Sequence, residues 1–207
     1  MFVGGSVTGL FITDAAAGDP RSTIDVDAIA EITSYAQYTV FGERLRALGF
    51  SEDTSEGAPV CRWVHQRTIL DVMPLDEKIL GFSNQWYRAA MQTSLIRRLR
   101  EGVEIRVIAP PFFIATKLEA FKGRGKGEVN CSPDLEDIIT VIDGRASIVA
   151  EINEQPADLR TCVRTGFKGL LAAGLIDALP GYLLPDETSQ ARISTVLQRI
   201  NELVEPL

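Results

Sequence analysis

The run Thr68-Ile69-Leu70-Asp71-Val72-Met73 sets a carboxylate in the middle of a stretch otherwise suited to the interior of a sheet. An unpaired charge is costly there, so the fold must supply Asp71 with partners. A second run, Ser22–Ala30 (STIDVDAIA), alternates apolar and polar residues and reads as a strand. It puts Ile24, Val26 and Ala28 on one side and Asp25 and Asp27 on the other. If the two strands are neighbours, three carboxylates gather, and like charges repel unless cations sit among them.

Hard oxygen ligands of this kind suit Mg²⁺, which keeps several waters and accepts substrate phosphates as further ligands. Two such ions about 3.5–4 Å apart clamp the attacking and leaving oxygens in phosphoryl or nucleotidyl transfer. Upstream, Gly4-Gly5-Ser6 forms a turn before a helix-compatible stretch, Val7–Ile12. Such a turn offers close backbone approach and N–H groups to a triphosphate. A Gly-Gly turn is common on its own; joined to paired aspartates and a third aspartate downstream, it is more specific.

Composition narrows the class. A chain of 207 residues, 45% apolar and 24% charged, is one or two domains with a real core. Collagen-like, coiled-coil and wholly disordered folds are excluded. No apolar run approaches the roughly 20 residues of a membrane helix. The opening MFVGGSVTGLF lacks the basic segment of a secretion signal, so a cytoplasmic protein with no membrane partner is expected. The three cysteines, Cys61, Cys131 and Cys162, have no metal-type spacing, and an odd count argues against a disulfide framework. Cys61 and His65 form at most half a zinc site, and the single histidine is a poor start for a catalytic triad.

The net charge of −7 is unevenly spread: between Arg88 and Lys126 lie 9 basic and 3 acidic side chains, inside a chain acidic on either side. This segment reads either as a solvated face or as a local anion site for phosphates or an RNA backbone. The overall acidity argues against a non-specific nucleic-acid binder.

Along the chain, Asp14–Arg21 reads as a loop, Ser34–Leu48 as a helix ending at Gly49, and Ser51–Pro59 as an acidic loop. Val60–His65 and Thr68–Met73 read as a hairpin about Gln66-Arg67, and Thr93–Leu99 and Val103–Ile108 as another about Glu101-Gly102. Pro110–Lys122 reads as a helix, Gly123–Asn130 as a glycine-rich basic loop, and Ser132-Pro133 as a capped helix start running to Gly144. In the first of these helices Ile114, Leu118 and Phe121 make one apolar stripe. Lys117 projects from its border, with an ammonium that reaches either water or a phosphate. From Pro156 onward the pattern is helical, with one helix to about Leu179 and another from about Thr188 to Val204. Leu197, Ile200 and Leu203 lie at helical spacing in the second, facing either the protein's own core or a partner. The expected fold class is α/β (α+β), with a mixed β-sheet flanked by helices over residues 1–150 and a C-terminal helical extension over 151–207.

The order GGS, helix, loop, Asp-x-Asp strand and later strand with Asp resembles the DNA polymerase beta-like nucleotidyltransferase superfamily. It looks most like the AbiEii/AbiGii toxin-type nucleotidyltransferase family. The residues that carry this are Gly5-Ser6 in VGGSVTGLF, Asp25 and Asp27 in RSTIDVD, Asp71 in TILDVMP, Lys117 in ATKLEAFKGRGKG, and Asp134 with Asp137 in SPDLEDIITVIDGR. The resemblance implies a nucleotidyltransferase-like fold and an Mg²⁺-dependent transfer from a nucleoside triphosphate. Gly5 and Ser6 would bind the triphosphate, with Gly4 in the same turn; apart from the resemblance, the basic loop offers Lys122 and Arg124 as phosphate candidates. Asp25, Asp27 and Asp71 would ligate metal, and Asp71 would also favour deprotonation of the acceptor hydroxyl. Lys117 would neutralise charge on the phosphates, and Asp134 would support the site from the following helix. In toxin-like relatives the acceptor can be the 3′ end of a tRNA, and a cognate antitoxin restrains the activity.

Two other functions stand beside this enzyme: a non-catalytic module of the same fold that holds a nucleotide or partner, and a structural partner that docks through its helical tail. Whether the carboxylates converge and bind Mg²⁺ separates the first from the enzyme.

Overall fold

The computed structural model describes residues 1–100, 102–124 and 128–205, the side chain of Arg124 excepted. The chain is mixed α/β, as its patterning predicts, with a seven-stranded mixed sheet and ten α-helices among the described residues. It divides into two compact units, Met1–Val7 with Ser22–Ala109, and Thr8–Arg21 with Pro110–Leu207.

The first unit contains the whole sheet. Its elements are β1 (Phe2–Val3), β2 (Asp25–Ala30), α1 (Tyr35–Ala47), β3 (Ser51–Glu52), β4 (Arg62–His65), β5 (Thr68–Pro74), α2 (Glu77–Leu80), α3 (Tyr87–Gln92), β6 (Leu95–Arg98) and β7 (Glu104–Val107). The strand order is β3-β4-β5-β2-β1-β7-β6. β2 runs parallel to β5 and β1 parallel to β7, while the remaining pairs are antiparallel.

Both hairpins form. In the first, the turn carries no glycine, yet Gln66 takes the positive φ (54°) that a two-residue turn between twisted strands demands. In the second, Gly102 has φ +77°, and Glu101 lies outside the described residues. α1 begins where Ser34 Oγ accepts the Gln37 N–H. Trp63, Leu70 and Val72 on one face of the sheet pack with Leu45 and Phe41 of α1, and with Ala30 and Phe50. Side chains alternate along a strand, so this core fixes the opposite face of β4, β5 and β2 as the one bearing Arg62, Asp71, Asp27 and Asp25. The expected apolar face of β2 needs correction. Ile24 is 81% exposed because the strand starts only at Asp25, and Ile29, at the same parity as Asp25 and Asp27, is buried on the aspartate face.

The second unit is helical: α4 (Pro110–Arg124), α5 (Pro133–Gly144), α6 (Ile148–Asn153), α7 (Ala157–Ala172), α8 (Leu175–Ala178), α9 (Glu187–Ala191) and α10 (Ile193–Val204). Ser132 caps α5 and Pro133 opens it, as its sequence predicts. Ile114, Leu118 and Phe121 of α4 are all buried, as are Ile200 and Leu203 of α10, while Leu197 is half-buried and Val196 takes the buried place beside them. The C-terminal stripe therefore packs within its own unit, against α5, α6 and α7. One departure has a local cause. The long helix from Pro156 ends at Ala172, because Gly174 takes a left-handed φ of +92° before α8. The last helix is split at Arg192, and α6 was not foreseen. The expected domain boundary at residue 150 falls inside α6; residues 110–150 group with the helices that follow. Among the described residues, no helix is long and apolar enough to cross a membrane.

Candidate functional site

The registers of the sheet bring the three strand aspartates of the first unit together. Asp27 pairs with Asp71 across the parallel β2–β5 ladder, and Asp25 lies two residues before Asp27 on the same face. On the other flank of β5, Arg62 stands directly opposite Asp71. Its guanidinium grips Asp71 in a fork, with Nε donating to Oδ1 at 2.8 Å and Nη2 to Oδ2 at 2.7 Å. The same Nη2 also donates to Asp25 Oδ2 at 3.3 Å. Hydrogen bonding to Asp71 and burial, with the neighbouring Asp71 and Asp25 charges, leave the Arg62 pKa raised above its ordinary value; the Asp71 bond is the largest influence and burial opposes it. Asp71 is nearly buried, while the Asp25 side chain keeps about a third of its surface (32%) open.

The glycine turn meets this face from the other side. Val3 pairs with Asp27 in the antiparallel β1–β2 ladder, so the turn that follows Val3 passes over Asp27. Gly4 has φ +70°, and a Cβ there would fall inside the Asp27 carboxylate. Only glycine allows both that conformation and that approach. Gly5 is buried at the start of a 3₁₀ turn, Gly5–Leu10. Ser6 is exposed, and its hydroxyl donates to the Val3 carbonyl at 3.4 Å.

These residues suit Mg²⁺ in kind, since all three donors are carboxylates on one face. They do not suit it in position. Asp25 and Asp71 converge on a guanidinium, and among the described residues no three or more His, Cys, Asp or Glu side chains form a group that could hold a metal ion. The cation that the sequence demanded for Asp71 is Arg62. A two-residue turn at Gln66-Arg67 pairs His65 with Thr68 and, counting outward, Arg62 with Asp71. The turn position alone therefore marks Arg62 as the residue opposite Asp71.

Lys117 and Asp134 belong to the second unit, in a buried cluster. Lys117 Nζ lies 3.0 Å from Asp134 Oδ1 and 2.6 Å from Asp137 Oδ2, and 5.9 Å from the centre of the Phe113 ring. Asp137 also accepts a fork from Arg21, Nε to Oδ1 at 2.9 Å and Nη2 to Oδ2 at 3.1 Å. Two cations and two carboxylates thus cancel, in a place where Lys117 and Asp134 are each 8% exposed and Asp137 is 1% exposed. The expected choice for Lys117, water or phosphate, is replaced by a third outcome: its ammonium faces inward onto α5. The loop Asp14–Arg21 carries no local sign of this pairing, because the partner of Arg21 lies 116 residues away. Lys122 is exposed near the end of α4; the Arg124 side chain lies outside the described residues.

The half-site of Cys61 and His65 does not assemble. His65 Nδ1 lies 2.7 Å from the Gly49 carbonyl, which can only accept, so that nitrogen carries the proton. Burial first, and the Asp71 charge second, push the Cys61 thiol up to about 11. No protein-family model and no curated protein matches the chain.

Proposed function

We propose that this protein is a nucleotidyltransferase that moves a nucleotide from a nucleoside triphosphate to an acceptor hydroxyl. The observation that carries the reading is the shared face of Asp25, Asp27 and Asp71 with Gly4 pressed onto Asp27. Acidic strand residues kept for surface charge alone have no reason to meet a glycine turn of this kind. Under this reading the Gly4–Ser6 backbone receives the triphosphate beside the face of Asp25, Asp27 and Asp71; Asp25 and Asp71 as they stand are held by Arg62 rather than grouped for Mg²⁺. Lys117, Asp134, Asp137 and Arg21 hold the helical unit together, since their charges already balance one another. The acceptor class favoured by the family resemblance is the 3′ end of an RNA such as tRNA, in a cytoplasmic toxin restrained by a cognate antitoxin.

One observation favours a second reading, a nucleotide- or partner-binding module without turnover: Arg62 already holds the carboxylates of Asp71 and Asp25. Incubation with each α-labelled nucleoside triphosphate, Mg²⁺ and total tRNA separates the two. Label transfer supports the enzyme; retention of bound but untransferred nucleotide supports the module.

A further inference from the structure

The sheet of the first unit stops at β6, which pairs with β7 on one flank and with no other strand among the described residues. The register shows which of its backbone groups stay open. Leu99 donates its N–H to the Val103 carbonyl at 2.8 Å, and the antiparallel ladder continues through Arg98↔Glu104, Arg97↔Ile105, Ile96↔Arg106 and Leu95↔Val107. Hydrogen-bonded and non-hydrogen-bonded pairs alternate in such a ladder. Leu95, Arg97 and Leu99 therefore direct their backbone groups at β7, and the N–H and C=O of Ile96 and Arg98 point out from the edge. The side chains add two features. Ile96 is 56% exposed, with Leu99 and Val103 exposed beyond it. Arg97, Arg98 and Arg100 lie within four positions that hold no acidic residue. Glu104 stands 4.0 Å from Arg98, but both side chains are mostly open to water, where such a pair is weak.

We propose that the open edge of β6 is a docking site for an extended, acidic segment of another protein, which joins the sheet as a further strand. This does not rest on the nucleotidyltransferase reading. The outward N–H and C=O groups of Ile96 and Arg98 offer donors and acceptors in alternation, the pattern that an added strand satisfies. The arginines supply the charge that selects an acidic partner, and Ile96, Leu99 and Val103 supply apolar surface for its alternate side chains. Charged residues on an edge strand also serve to block pairing, but a strand that only needs blunting has no use for three exposed apolar side chains. A second copy of this chain would set three more arginines against the same short edge, and like charges across a ladder destabilise it. A nucleic-acid backbone would meet the arginines, but phosphate oxygens only accept, so the two outward carbonyls and the apolar side chains would stay unmatched.

The test selects from a displayed library of random strand-length peptides on the whole chain, with Ile96→Pro as the counter-target. Proline at this position removes one outward N–H and leaves the ladder to β7 in place, because Ile96 gives that ladder no bond. The selected peptides should be acidic, with apolar residues at alternate positions. Synthetic copies, titrated by fluorescence anisotropy, should bind the wild type at least about tenfold more tightly than Ile96→Pro or Arg98→Glu. Arg98 is largely open to solvent, so its replacement carries the comparison if the proline variant does not fold. No peptide that distinguishes the wild type from the variants, or selected peptides without an acidic bias, would overturn the proposal. An oligouridine RNA that binds the wild type and is lost in Arg98→Glu, with no peptide selected, would overturn it in favour of a nucleic acid. A wild-type dimer in sedimentation that Ile96→Pro dissociates would overturn it in favour of a second copy.

Discussion

Replacing Lys117 by methionine keeps most of the buried stem and removes the ammonium. The two carboxylates it serves are 12% and 1% exposed at the side chain, so neither can turn to water without opening the packing between α4 and α5. Breaking a buried pair by deleting one partner typically costs about 3–5 kcal/mol. Here Arg21 still grips Asp137 through two bonds, which holds the loss to the lower end, about 3 kcal/mol. For a chain of this size each kcal/mol moves the midpoint by about 2–4 °C, so the variant should unfold roughly 6–12 °C below the wild type. The assay is urea and thermal unfolding followed by far-ultraviolet circular dichroism, which reads the helices that this cluster joins. Adding Asp134→Leu should recover part of the loss, because it removes one of the two carboxylates that the ammonium served. A loss below about 1 kcal/mol would refute the reasoning, since it would mean that the ammonium is not committed to these carboxylates. A normal stability with collapsed turnover would return Lys117 to the phosphates.

Two further outcomes follow from single residues. Gly4→Ala places a Cβ where the Asp27 carboxylate sits, at φ +70°; it should cost about 1–3 kcal/mol and abolish nucleotide binding, measured by titration with a fluorescent triphosphate analogue. An unchanged affinity would mean that the turn is only structural. The Ala16 N–H first, and the Arg192 guanidinium second, hold the Asp14 carboxyl below its ordinary range. A depressed carboxylate contributes stability above its unfolded pKa and loses it as pH falls through the folded value. Asp14→Asn should therefore flatten the acid limb of urea midpoints measured below about pH 4; an unaltered limb would remove Asp14 from the acid response.

The legible parts of this fold were those fixed by neighbours in sequence. Ser34 and Ser132 cap their helices through bonds to residues three positions on; alternation located β2, and a β-rich apolar run located β5. The placement of Asp25, Asp27 and Asp71 on one face followed once the two strands were neighbours. What escaped depends on distant partners. Arg21 meets Asp137, and Arg192 meets Asp14 across 178 residues; neither loop nor helix pattern encodes such a meeting. The inward turn of Lys117 was missed for a related reason: the stripe on α4 showed which side is apolar, but not that α5 presents two aspartates to its border. Arg62 is different, because hairpin counting alone places it opposite Asp71.

The central claim is that the carboxylate face under the glycine turn transfers nucleotides. The most direct measurement is the rate of label transfer from α-labelled nucleoside triphosphates to total tRNA with Mg²⁺, for the wild type and for Asp27→Asn, an isosteric change that removes only the charge. The account predicts transfer by the wild type from at least one triphosphate, and a fall of at least about a hundredfold in the folded variant, roughly 2.7 kcal/mol of barrier. Equal transfer by both proteins, or none by a folded wild type with any of the triphosphates, would contradict it.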